Sequence, residues 1–142
     1  MSFDLNRWAC YVTEGYMKQF SEAFGRKLED SGITRIQWIS LYYINEYQDI
    51  SQRRLANLMC VKDSSAGRLV DRLERDGFVE RVRSKEDRRV ITLKLTNNGL
   101  SIFKKILPLG IEFNDKLTKN ISPRDFETFE LVLKQMLINI QE

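Results

Sequence analysis

The side chains best suited to chemistry in this sequence are cationic, and they cluster. Residues 51–99 carry twelve Lys and Arg against seven Asp and Glu, a surplus of five; the rest has eleven against thirteen, a deficit of two. Charge polarised in this way is the footprint of a face that meets a polyanion. Within the segment, Ser64, Ser65, Arg68, Arg72 and Arg75 recur on one side of a helical pattern, while Lys85, Asp87, Arg88 and Arg89 fall at the tip of a hairpin pattern. The chemistry open to the first group is groove recognition. A helix fits the major groove of duplex DNA, short hydroxyls near its N-terminus can meet phosphates, and an Arg one turn later can reach the O6/N7 edge of guanine. In the second group, Arg89 suits a narrow A·T-rich minor groove, where negative potential concentrates, and Asp87 is placed to orient its guanidinium through a charge-assisted bond. Each group also has a plainer explanation. A solvated helix face could be laced by the pairs Asp71–Arg75 and Arg72–Asp76, each worth about 0.2–0.5 kcal/mol, and a basic loop could be an ordinary surface turn. The succession of both groups in one short segment favours the joint DNA-facing interpretation.

Catalytic chemistry is poorly provided for. The chain has no histidine, which removes the commonest general base, the Ser/Cys–His nucleophile pairs and the usual imidazole metal ligand. Cys10 and Cys60 stand fifty positions apart and match no metal-ligand or thioredoxin-like spacing. Glycine-rich phosphate cradles are absent from the sequence. We therefore expect a non-enzyme without a cofactor. The longest stretch free of charged residues is ten residues, 36–45, well short of the roughly 20 needed for a membrane span. The start Met1-Ser2-Phe3-Asp4 lacks the basic region of a secretion signal, so the expected location is cytoplasmic, with no membrane partner.

The positioning elements follow from periodicity. Leu5, Trp8, Val12, Tyr16, Phe20, Phe24 and Leu28 predict a long amphipathic helix over about residues 3–28, ended by Asp30-Ser31-Gly32. Thr34 and Gln37 form a capping box for a second helix through Trp38, Leu41, Tyr42 and Ile44. An extended link at residues 49–51 leads to a short helix over 52–59 with Leu55, Leu58 and Met59 inward. Another helix follows over about 64–76, with Ala66, Leu69, Val70 and Leu73 as its docking face and Gly77 as its stop. Ile91, Leu93 and Leu95 alternate with Val90, Thr92 and Lys94 as a half-buried strand whose partner is 78–83 and whose turn is 84–89. A helix over about 97–118 should kink or break at Pro108. Ser122-Pro123 then starts a last helix with Phe126, Phe129, Leu133, Met136, Leu137 and Ile140 near heptad spacing. The apolar stripes of the first and last helices can serve either the chain's own core or a second copy. The predicted class is mainly α with a small β-hairpin wing, in a chain of one domain's length.

The run Leu69-Val70-Asp71-Arg72-Leu73-Glu74-Arg75-Asp76-Gly77-Phe78-Val79-Glu80-Arg81, followed by Asp87-x-Arg89 and Leu93-x-Leu95-Thr96, resembles the MarR (multiple antibiotic resistance regulator) family of bacterial transcription factors. Order and length agree over essentially the whole chain. The resemblance implies a single MarR-type domain over residues 1–142: a winged helix-turn-helix lobe at 34–96, with dimerisation helices at 1–30 and 97–142. It further implies an obligate homodimer on a pseudo-palindromic operator, usually as a repressor. A winged helix used only for protein contact, without DNA binding, is the alternative from another functional class.

The resemblance also implies control. Small aromatic or phenolic effectors often bind such proteins between the first two helices and the one after the wing, where this chain has Trp8, Tyr11, Trp38, Tyr42 and Phe103; packing aromatics would show the same pattern. Cys10 stands 24 residues before Thr34, a place similar to that of the sensing thiol in the organic hydroperoxide resistance branch. Phe24 and Arg35 stand where that branch has tyrosines, so the expected state of Cys10 is a buried, inert thiol, with oxidant sensing as the alternative.

Overall fold

A computed structural model describes residues 2–141 of the chain. The capping box at Thr34 forms as expected: the Gln37 N–H donates to Thr34 Oγ1 at 3.2 Å and the Thr34 N–H donates to Gln37 Oε1 at 3.0 Å. It launches α2 (Arg35–Glu46). The helix before it differs from the expectation. Asp4 accepts from the Asn6 N–H at 3.0 Å and holds Leu5–Arg7 in a 3-10 turn, Trp8 is extended, and α1 spans only Ala9–Leu28. Asp4 offers its neighbours a local hydrogen bond that competes with the helix, and hydrophobic spacing does not register such competition.

The lobe that follows is built from β1 (Ile50–Ser51), α3 (Gln52–Leu58), α4 (Asp63–Arg75), β2 (Val79–Arg83) and β3 (Ile91–Leu95). Ser51 caps α3 by accepting from the Arg54 N–H at 3.0 Å. Gly77, at φ +79°, ends the turn after α4 and adopts a left-handed conformation that costs a residue without Cβ little. The sheet has three strands in the order β1-β3-β2, all antiparallel, with Ile50 opposite Leu93, Arg81 opposite Leu93 and Val79 opposite Leu95. The link expected at residues 49–51 is thus an edge strand, too short to show a period of two. Its addition makes β3 central, and Thr92, placed by alternation on the solvent side, is instead buried with its hydroxyl donating to the Val82 carbonyl at 3.0 Å.

Leu41, Leu55, Val70, Leu73, Leu93 and Ile106 are fully buried in one core joined by Ile44, Ile50, Val79 and Phe103. Each large side chain withdrawn from water contributes about 1.5–3 kcal/mol to holding these elements together. Against this core lies α5 (Asn97–Leu117), which contains Pro108 without being interrupted. The proline removes the hydrogen bond to the Lys104 carbonyl, but both residues are exposed, so water can take that carbonyl. On another side of α5, the Trp38 Nε1–H donates to the Ile106 carbonyl at 3.1 Å. A Cβ on Gly110 would lie 2.2 Å from the Trp38 ring, so the close approach of the indole depends on glycine there.

The chain divides into two compact units, one ending at Gly110 and the next beginning at Ile111. The second contains α6 (Pro123–Asn139), capped by Ser122, which accepts from the Asp125 N–H at 3.1 Å. Phe126, Phe129, Leu133, Met136, Leu137 and Ile140 are all exposed in the single chain. Among the described residues, no helix is long and apolar enough to cross a membrane.

Candidate nucleic-acid interface

On α4 the apolar stripe docks as its spacing requires: Ala66, Val70 and Leu73 are fully buried and Leu69 partly so. Ser64, Ser65, Arg68, Arg72 and Arg75 are exposed. Asp63 lies in the first turn and Arg72 and Arg75 in the last, the arrangement that complements the helix dipole. The lacing of this face expected from the sequence is replaced by other contacts. Asp71 pairs with Arg81 at 2.7 Å rather than with Arg75, whose Nε lies 3.7 Å from Asp76. Arg68 and Arg72 form no ion pair with the described residues, so their guanidiniums project from the helix uncompensated.

The wing tip is held by side chains bonded to backbone. The Ser84 hydroxyl oxygen accepts from the N–H groups of Glu86 and Asp87 at 3.3 and 3.4 Å, and Arg83 Nη1 donates to the Arg88 carbonyl at 2.9 Å. Asp87 orients Arg89 as expected, accepting from Nε at 3.1 Å, from Nη2 at 3.2 Å and from the Arg89 backbone N–H at 3.0 Å. The two-pronged bond fixes the plane of the guanidinium, while the Arg89 side chain stays 90% exposed and so can enter a groove. Lys85 and Arg88 are exposed beside it.

Arg89 also holds the Asp87 carboxyl below its ordinary value of 3.8, through its side chain first and its backbone N–H second, against a small opposing effect of desolvation. A depressed carboxyl contributes order above the unfolded value that is lost as pH falls through the folded one. An NMR titration of Asp87 should therefore have its midpoint below 3.8, leaving the tip unchanged across neutral pH; a midpoint at or above that value would show that the pair does not form in solution.

The sequence analysis missed Arg81, which it counted only as one more positive charge. From β2 its side chain reaches Asp71, Glu74, the Gly67 carbonyl and Gln52. It lies inside the lobe, among acceptors that no spacing rule connects.

A family model described as the MarR family matches residues 33–91. The multiple antibiotic resistance protein MarR of Escherichia coli strain K12 is 32% identical over 106 residues, spanning 74% of each chain. The chain belongs to the MarR family. The HTH-type transcriptional regulator BilQ of Clostridium symbiosum is 29% identical over 126 residues, 89% of this chain and 88% of that one. Among solved structures, a cysteine-to-serine mutant of E. coli MarR complexed with operator DNA superposes with a TM-score of 0.82 at 27% identity, covering 96% of this chain and 99% of that chain. The winged-helix fold and the role of transcriptional regulator follow.

In this MarR-family regulator the aromatics singled out from the sequence fall into separate places. Trp38 stacks on Tyr42 with ring centroids 6.1 Å apart, and Tyr42 tilts against buried Phe103 at 6.5 Å. Trp8 meets Phe3 edge-on at 6.2 Å, and Tyr11 lines a shallow groove along α1 with Asn6, Gly15 and Gln19. Cys10, expected to be buried, is exposed in the single chain, since it lies on the side of α1 turned away from buried Phe24 and Leu28.

Proposed function

We propose that the protein binds a pseudo-palindromic duplex operator as a homodimer, through Ser64, Ser65, Arg68, Arg72 and Arg75 in the major groove and Lys85, Arg88 and Asp87-oriented Arg89 at the wing. It acts as a repressor by excluding polymerase, and a small aromatic effector or an oxidant releases it. The observation that carries this reading is the pair of exposed cationic features on one lobe: the unlaced Arg68/Arg72 face of α4 and the Arg89 guanidinium held by Asp87 but open to its surroundings. The functional layout is a winged lobe at residues 34–96 flanked by dimerisation segments at 1–30 and 97–142. Exposed Tyr16, Met17 and Phe20 on α1, and the apolar residues of α6, are the surfaces offered to the second copy. Two-fold symmetry then sets the two recognition helices about 34–36 Å apart or a multiple of that. Trp38 and Tyr42, with Trp8 and Tyr11 nearer the N-terminus, are the candidate effector contacts. Cys10 is the candidate thiol.

Selection of duplexes from a random pool, followed by a salt titration of the recovered site, tests the reading. A dimer neutralising about 6–10 phosphates should lose roughly 10³ to 10⁵ in affinity between 50 and 200 mM salt; absence of any duplex binding would favour a module for protein contact. Within that reading, Arg89→Ala should weaken operator binding by about 1–3 kcal/mol, the scale of one lost base-pair contact. Its melting temperature should stay at the parent value, because the Arg89 side chain is almost wholly exposed. Equal affinity of variant and parent for an A·T-flanked site would reject the minor-groove role.

A further inference from the structure

Arg81 has its hydrogen-bonding capacity occupied inside the protein. Nη1 lies 2.7 Å from Asp71 Oδ1 and 3.2 Å from Glu74 Oε1, Nη2 donates to the Gly67 carbonyl at 3.0 Å, and Nε donates to Gln52 Oε1 at 3.2 Å. Its backbone N–H adds a bond to Glu74 Oε2 at 3.3 Å. Gly67, Asp71 and Glu74 succeed one another at i, i+4 and i+7, a stripe that runs along α4 beside the exposed one containing Ser64, Arg68 and Arg75. Gln52 opens α3 and Arg81 lies in β2, so one guanidinium ties together both helices of the helix-turn-helix and the root of the wing. Its side chain is only 23% exposed, against 90% for Arg89.

We propose that Arg81 is a positioning residue for operator recognition: a brace that fixes α4 against the wing and compensates two carboxylates next to the DNA-facing stripe. The proposal rests on the DNA-binding reading above. Base edges are read by directional hydrogen bonds, so a recognition helix free to rock against the wing would lose sequence discrimination while keeping its general attraction for phosphate. Released from Arg81, Asp71 and Glu74 would also place negative charge beside the backbone of the duplex. Lysine retains the charge but presents no planar fork able to serve several acceptors at fixed angles.

The experiment compares parent, Arg81→Lys and Arg81→Ala by fluorescence anisotropy on the selected operator and on a duplex of random sequence, with the folded fraction of each protein fixed by circular dichroism. Arg81→Lys should lower the ratio of operator to random-duplex affinity by about tenfold, comparable to one mismatched base pair, with random-duplex affinity retained. Mere loss of stability would move both affinities together. An unchanged ratio overturns the proposal. Arg81→Ala should keep the parent's slope of log affinity against log salt; a slope shallower by about 0.9 would assign Arg81 to a phosphate and overturn it as well. If Arg81→Ala fails to fold, the lysine variant decides the matter. A parent that binds no duplex rejects the DNA reading itself, an outcome distinct from an unchanged ratio.

Discussion

Gly99→Ala should lower the melting temperature by roughly 10 °C, corresponding to a loss of about 3 kcal/mol, at the upper end for an overpacked site. An added Cβ would fall 1.9 Å from the Phe78 carbonyl oxygen and 2.8 Å from its carbon. Those are backbone atoms, so no side chain can swing aside. The carbonyl is itself held, accepting from the Thr96 N–H at 3.0 Å, while the Thr96 hydroxyl donates to the Gly77 carbonyl at 2.5 Å and accepts from the Gly99 N–H at 3.0 Å. The start of α5 and the entry to the wing are thereby interlocked, and relief of the clash must open one of these bonds. Urea and thermal unfolding of the variant measure the effect; a melting point within about 2 °C of the parent would mean that the joint yields, contrary to this account.

The second large effect is expected at α6. Phe129 and Leu133 are one turn apart and exposed, as residues of a helix that seeks a partner copy are in the isolated chain. Phe129→Glu with Leu133→Glu would place two carboxylates in an apolar interface, where each unpaired charge costs several kcal/mol at least in desolvation. Sedimentation at micromolar concentration should then show monomers. Because each lobe would meet the duplex alone, the salt slope should halve and operator affinity fall by about 10³ or more. The variant remains folded by this reasoning, since none of those residues belongs to the core. A dimeric variant, or a parent that is itself monomeric, would remove α6 from the proposed interface.

Much of this molecule was legible because its signals are local. The Thr34/Gln37 capping box, the Gly77 stop, the α4 docking stripe and the Asp87–Arg89 pair all involve residues a few positions apart, within the reach of spacing rules. Other features were hidden for physical reasons. Trp8 interrupts the first helix because Asp4 binds its own neighbourhood, and β1 is visible only through its pairing with a strand some forty residues later. Pro108 spares the helix because the carbonyl it deprives is in solvent. Arg81 was counted correctly as a charge and wrongly as a free one, since its acceptors lie on three other stretches of the chain: Gln52, Gly67 and the Asp71/Glu74 pair. Exposure of Cys10 was likewise invisible, because periodicity ranks thiols as small hydrophobes.

The pairing of Ile50 with Leu93 and of Ser51 with Thr92 also bears on how the molecule is made. A polypeptide growing from its N-terminus releases both helices of the reading head before the strand that anchors their base has been synthesised. Ring closure over such a span carries an entropic cost that rises only slowly with length, yet contacts distant in sequence are the ones that delay folding. The nascent head must therefore wait, unanchored, for β3 to emerge from the ribosome, and its apolar docking stripe is then exposed to neighbours and chaperones alike.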